Sequence, residues 1–241
     1  MAFPSVAERA TSKVTSNNTS HAVTLPVTGV ASGDLLIAAI AWDCATGTVT
    51  LTGWTAGWTL IAENPHATGA YASTLYYKIC DGSETSPLTL TTSGAEQSVH
   101  RVWRFSVGSH NASIAPQAAQ TVTTGGGVSP DPPSLSPTGG SKDYFWIALA
   151  FINEGTSNGL ADVDTWPAGY SQTGGDKSSA SSGGIALGWA EFTNTAASEN
   201  PGAFHISSDP TAEANDTMTV AIHPAAASTA KFMRTLLMGV G

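Results

Sequence analysis

Leu35-Leu36-Ile37-Ala38-Ala39-Ile40-Ala41-Trp42 and, at an offset of 109, Tyr144-Phe145-Trp146-Ile147-Ala148-Leu149-Ala150-Phe151 are hydrophobic at every position, and each run follows an aspartate, Asp34 or Asp143. Side chains of a strand alternate between two faces, so a strand that is apolar throughout is covered on both. In a two-layer sandwich one face normally meets water. The second cover must come from the other copy, a long loop or a neighbouring subunit, which favours one compact body or an oligomer over two separate domains.

Working outward from these runs, the same neighbours recur in the same order. Trp54-Thr55-Ala56-Gly57-Trp58 is matched by Trp166-Pro167-Ala168-Gly169-Tyr170, and Leu75, Tyr77 and Ile79 by Ile185, Leu187 and Trp189. Leu88 and Leu90 match Phe204 and Ile206, and Trp103 and Phe105 match Val220 and Ile222. Shared order and spacing identify an internal repeat. The chain divides into an N-terminal arm (1–11), a first β-rich repeat (12–107), a linker (108–120), a second repeat (121–224), a linker (225–230) and an apolar, basic C-terminal tail (231–241).

Within each copy the period is two. Leu75, Tyr77 and Ile79 alternate with Thr74, Tyr76 and Lys78, while Val99, Arg101, Trp103 and Phe105 alternate with Ser98, His100, Val102 and Arg104. Thr-rich segments such as Thr48-Val49-Thr50-Leu51-Thr52 fit a pleated surface, and Asp81-Gly82 and Gly174-Gly175 mark turns. No sustained helical period precedes the tail. The expected fold is all-β: an antiparallel β-sandwich or jelly roll of two pseudo-repeated halves, with about six strands in each.

Composition narrows the function. Of 241 residues, 18 are acidic and 9 basic, giving a net charge of −9, so no cationic groove for nucleic acid is expected. No basic, then apolar, export signal opens the sequence, and no apolar run approaches the ~20 residues of a spanning helix. Cys44 and Cys80 are then expected as free thiols of a reducing cytosol. His-Glu-x-x-His, Gly-x-Ser-x-Gly and phosphate-binding loop motifs do not occur. Neither an enzyme, a cofactor nor a metal is expected. Asp162, Asp164 and Asp176 read as solvated loop carboxylates. Glu63, Asp81, Glu154 and Glu191 near strand ends give no pair for glycoside hydrolysis. The dispersed histidines, His100 and His205 among them, read as surface or edge residues, and Arg101, on the inner face, as half of a structural ion pair.

Two candidate recognition elements remain. Trp54 and Trp166 occupy the same loop in both copies, where they either cap the sandwich or stack on a glycan. Phe232, Met233, Arg234, Leu236, Leu237 and Met238 form a sticky strip in a tail that carries +2, from Lys231 and Arg234, beyond a body carrying −11. This strip is expected to dock into a neighbouring subunit.

Gly33-Asp34-Leu35-Leu36-Ile37, Gly57-Trp58-Thr59-Leu60-Ile61, Leu75-Tyr76-Tyr77-Lys78-Ile79, Asp81-Gly82-Ser83-Glu84 and Gln97-Ser98-Val99-His100-Arg101, taken in order, resemble the β-rich structural proteins of tailed bacteriophages. The resemblance spans residues 12–224 and supplies no catalytic residues. It implies a non-enzymatic virion protein assembled in the bacterial cytoplasm: a head decoration, cement or spike component, or a tail-associated subunit. Implied partners are further copies of itself and other virion proteins such as the major capsid protein. The rival reading is a carbohydrate-binding, host-adsorption module built on Trp54 and Trp166.

Overall fold

The computed structural model describes residues 2–44, 49–65, 71–123, 129–154, 163–178, 184–206 and 214–226. Among the described residues every regular element is a strand: β1 (Val6–Val23), β2 (Leu35–Asp43), β3 (Leu51–Thr52), β4 (Thr59–Asn64), β5 (Tyr71–Ile79), β6 (Leu88–Phe105), β7 (Gln117–Thr123), β8 (Lys142–Glu154), β9 (Val163–Thr165), β10 (Ser171–Lys177), β11 (Gly184–Ala196), β12 (His205–Ile206) and β13 (Asn215–Ile222). Among the described residues no helix is long and apolar enough to cross a membrane.

All ladders are antiparallel, and each large sheet is drawn from one half of the chain. The first runs β1-β6-β2-β5-β4, with β3 pairing β6 at one end, and the second runs β7-β13-β8-β11-β10. Strand for strand, the two orders correspond. The fully apolar strands β2 and β8 lie at the centre of their sheets, where both flanks are paired and both faces covered.

Their inner faces meet. Leu35, Ile37, Ala39 and Ala41 share one core with Phe145, Ile147, Leu149 and Phe151, joined by Leu75, Trp103, Leu187 and Val220. Fully burying each large side chain stabilises by about 1.5–3 kcal/mol, so this shared layer is the dominant favourable term. Polar bonds tie the same sheets: Lys13 of β1 to Asp176 of β10, Trp103 of β6 to Glu191 of β11, and Ser73 of β5 to Asp216 of β13. At the other margin β4 lies against β7.

The outer faces are covered as well, which the alternation in β5 and β6 did not suggest. On the first sheet Leu36, Ala38, Ile40, Trp42 and Val102 pack under Leu25, Val27, Leu51, Trp54 and Trp58, together with the two free, buried cysteines. On the second, Ala148, Ala150 and Ile152 pack under Phe204, Ile206 and Trp166. The Pro-rich stretch 129–134 crosses this face, where the carbonyls of Asp131 and Pro133 accept from the hydroxyls of Thr217 and Thr219.

Three sequence expectations change. β1 begins at Val6 and pairs Glu8 with Arg104, so residues 6–11 belong to the first sheet and not to a separate arm. β7 begins at Gln117, inside the stretch expected as linker. The 109-residue alignment of β2 with β8 is one residue short. Inward Leu35 and Ile37 correspond to inward Phe145 and Ile147, since Leu35 faces Phe105 across its ladder as Phe145 faces Ile222. A strand apolar on both faces carries no alternation to fix its register, and a one-residue slip reverses every side chain.

Candidate functional site

Trp54 and Trp166 stand at the start of equivalent turns. Trp58 N–H donates to the Thr55 carbonyl over 3.4 Å and Tyr170 N–H to the Pro167 carbonyl over 3.3 Å, with Gly57 and Gly169 at φ 91° and 85°. A turn with positive φ at its third residue needs glycine there, which explains why Ala-Gly recurs with the tryptophan. Both indoles are half-buried and packed on the outer clusters, so both serve as corners of the fold.

Their surroundings differ. The Trp54 indole stacks on the Tyr76 ring at 4.0 Å and 18°, with the Trp58 ring 5.1 Å away. Beneath lies a cavity of about 210 Å³ walled by Trp42, Trp54, Tyr76, Val49 and Leu51 and edged by Thr50, Thr74 and Glu63. Trp42 Nε1 is held by the Val49 carbonyl at 3.3 Å, which fixes the wall. The β4–β5 register sets Glu63 opposite Thr74. Burial, and then the Glu63 carboxylate, push the Tyr76 hydroxyl above its ordinary pKa. Trp166 instead donates through Nε1 to the Gly174 carbonyl at 3.0 Å, beside a cavity of about 360 Å³ bounded by Thr173, Gly174, Gly175, Asp176 and Lys177 with no second aromatic ring. The glycine at 174 is required because the Trp189 ring would come within 2.6 Å of a Cβ.

Phe232, Met233, Arg234, Leu236, Leu237 and Met238 lie outside the described residues, as does Asp162.

Among the remaining titratable groups, Glu191, His100 and Asp216 each anchor a buried cluster. Glu191, in the interior of β11, accepts from Arg9 Nε and Trp103 Nε1, both at 2.7 Å, and lies 4.0 Å from Arg101. The Arg101 guanidinium stacks 4.5 Å over Trp189, so the expected structural ion pair is present. Glu191 is thus no strand-end carboxylate.

His100 corrects a second expectation. It lies on the outer face of its sheet, yet is fully buried. Its Nδ1 is 2.9 Å from Ser12 Oγ and its Nε2 2.8 Å from Ser98 Oγ, which also lies 2.6 Å from His21 Nδ1. Burial, and then the neighbouring imidazole of His21, hold His100 down at about 3. A serine bonded to histidine is the geometry of an activated nucleophile. Here Ser98, His21 and His100 are each at most 1% exposed, and no substrate reaches them. Alternation gave the correct face for His100 but not its cover, which is contributed by residues distant in sequence.

Asp216 occupies the third cluster. Its carboxylate accepts from the Ser73 hydroxyl and, at 2.7 Å, from Gln120 Nε2, and burial raises its pKa to about 7. His205, by contrast, is exposed and paired with Asp164 at 2.7 Å, and Asp176 with Lys13 at 2.8 Å. Among the described residues no three His, Cys, Asp or Glu side chains converge as a metal site. The chain matches no protein-family model, no curated protein and no solved structure.

Proposed function

We propose that this chain is a non-enzymatic structural protein of a tailed bacteriophage particle, and that it decorates or cements the head in preference to serving as a tail subunit. The observation that carries the reading is where the reactive groups lie. The Glu191, His100 and Asp216 clusters are buried within the body, each bonded to its own set of protein partners, and the shared layer makes the two halves one solid unit. Such a body acts through shape and contact. The resemblance of its strand-and-turn sequence motifs to phage structural proteins gives that contact a setting.

The tail supplies the adhesive. Docking Phe232, Met233, Leu236, Leu237 and Met238 into a neighbouring subunit yields about 1.5–3 kcal/mol per buried side chain before ordering costs, and many copies on one particle add avidity. Arg234 and Lys231 then seek an acidic partner surface. Immunogold labelling of intact particles, with and without a truncation after Ala230, tests this. Label over the head that disappears with the truncation supports the reading. Label on the tail assigns the protein to adsorption or tail assembly, and unlabelled particles overturn the virion role.

A further inference from the structure

We infer that the cavity beneath Trp54 binds the terminal ring of an uncharged glycan, and that the cavity beside Trp166 does not. The first argument is what lines the cavity. Its walls include the rings of Trp42, Trp54 and Tyr76, its polar lining is Thr50, Ser73, Thr74 and Glu63, and no Lys, Arg or His lines it among the described residues. A phosphorylated, sulfated or acidic ligand finds no counter-charge among these residues. A pyranose offers apolar C–H groups to aromatic walls and a belt of hydroxyls to hydroxyl and carboxylate acceptors.

Size and ring arrangement narrow the class. About 210 Å³ is below the roughly 300–1,000 Å³ of pockets for drug-sized ligands, so a single ring enters and the rest of a chain stays outside. A quaternary ammonium group needs aromatic faces set around a common centre. Here Trp54 and Tyr76 are stacked on each other, which takes one face of each ring out of any such cage. Glu63 is exposed at the rim, and burial of the Tyr76 hydroxyl beside it keeps that group a neutral donor. The Trp166 cavity has Ala186 at the position of Tyr76, so its tryptophan has no ring stacked beside it, and its Asp176 is engaged by Lys13.

This binding function is independent of where the protein sits on a particle, so the test uses the isolated full-length chain. Saturation-transfer NMR with the methyl glycosides of glucose, galactose and N-acetylglucosamine is run beside choline and glucose 6-phosphate. The expected result is transfer to at least one uncharged glycoside, with an affinity on the order of 1 mM. Binding weakens by about tenfold in Glu63→Ala, which leaves the aromatic packing in place, and is unchanged in Trp166→Ala. Absence of transfer to every uncharged glycoside, preference for choline or the phosphorylated sugar, or full binding by Glu63→Ala overturns the inference. None of these outcomes bears on the immunogold result.

Discussion

Replacing Asp216 with Asn should make the protein more stable at neutral and alkaline pH, and by an amount that depends on pH in a defined way. The carboxyl is fully buried, and burial raises its pKa from 3.8 to about 7 against the opposing bonds from Ser73 and Gln120. A folded state that holds its proton more tightly than the unfolded chain is fully stabilised in acid, and loses that stability as pH rises through 3.8 towards 7. At 1.36 kcal/mol per unit, the ionised carboxylate costs the fold about 4 kcal/mol above pH 7, about 2 kcal/mol at pH 5 and nearly nothing at pH 3. An Asn carbonyl can accept the same two bonds. Its amide then falls where Oδ1 of Asp216 stands without a hydrogen-bond partner, a cost that does not vary with pH. The informative quantity is therefore the slope. Urea unfolding of both proteins at pH 4, 5.5, 7 and 8.5 should show the difference in free energy climbing in favour of the variant up to pH 7 and then flattening. A difference that stays constant across that range refutes the reasoning, as does an Asp216 carboxyl that titrates near 4 by NMR.

Three further outcomes are expected. Glu191→Ala leaves Arg9, Arg101 and the Trp103 indole facing an empty site between the sheets and should destabilise by about 3–5 kcal/mol in urea unfolding, whereas a loss under 1 kcal/mol would mean that water replaces the carboxylate. Burial lowers the pKa of both His21 and His100 from 6.5, so their contribution is complete above pH 6.5 and is lost as pH falls towards about 3; a His21→Gln/His100→Gln variant should have a flatter acid limb in pH-dependent melting. Gly57→Ala and Gly169→Ala each force a side chain into the left-handed region and should cost about 1–2 kcal/mol, similar in the two halves because the turn is the same, as measured by thermal unfolding.

The sequence made the architecture legible because its strongest signals are local. Period-two alternation over residues 74–79 and 98–105, and the repeated order of runs, are enough for two antiparallel sheets. The fully apolar runs at 35–42 and 144–151 likewise imply covered central strands. What escaped is what depends on contacts between distant segments. The alignment of β8 with β2 slips by one residue because nothing in an all-apolar strand distinguishes inside from outside. His100 reads as a surface residue because alternation puts it on the outer face with Ser98 and Arg104, while the groups that enclose it include Ser12 and His21 from the other strand of its ladder. The same holds at the Trp54 cavity. Repetition singles out the tryptophan, but Tyr76, Thr74 and Glu63 join it only through the β4–β5 register, and the contrast with Trp166 lies in Ala186 standing where the first half has Tyr76.

The stretch between β6 and β7 does more than connect. It is stitched to the end of the second sheet, with Asn111 N–H on the His223 carbonyl at 3.0 Å and Ala225 N–H on the Ser109 carbonyl at 3.3 Å. Two self-complementary layers on separate chains would be in a mass-action equilibrium and would part on dilution. Joined in one chain, they meet at a fixed effective concentration set by a short tether. Because each sheet's inner face is finished only by the other, neither has a stable half-molecule to fall back on. Unfolding should be a single transition whose midpoint is the same at nanomolar and at micromolar protein.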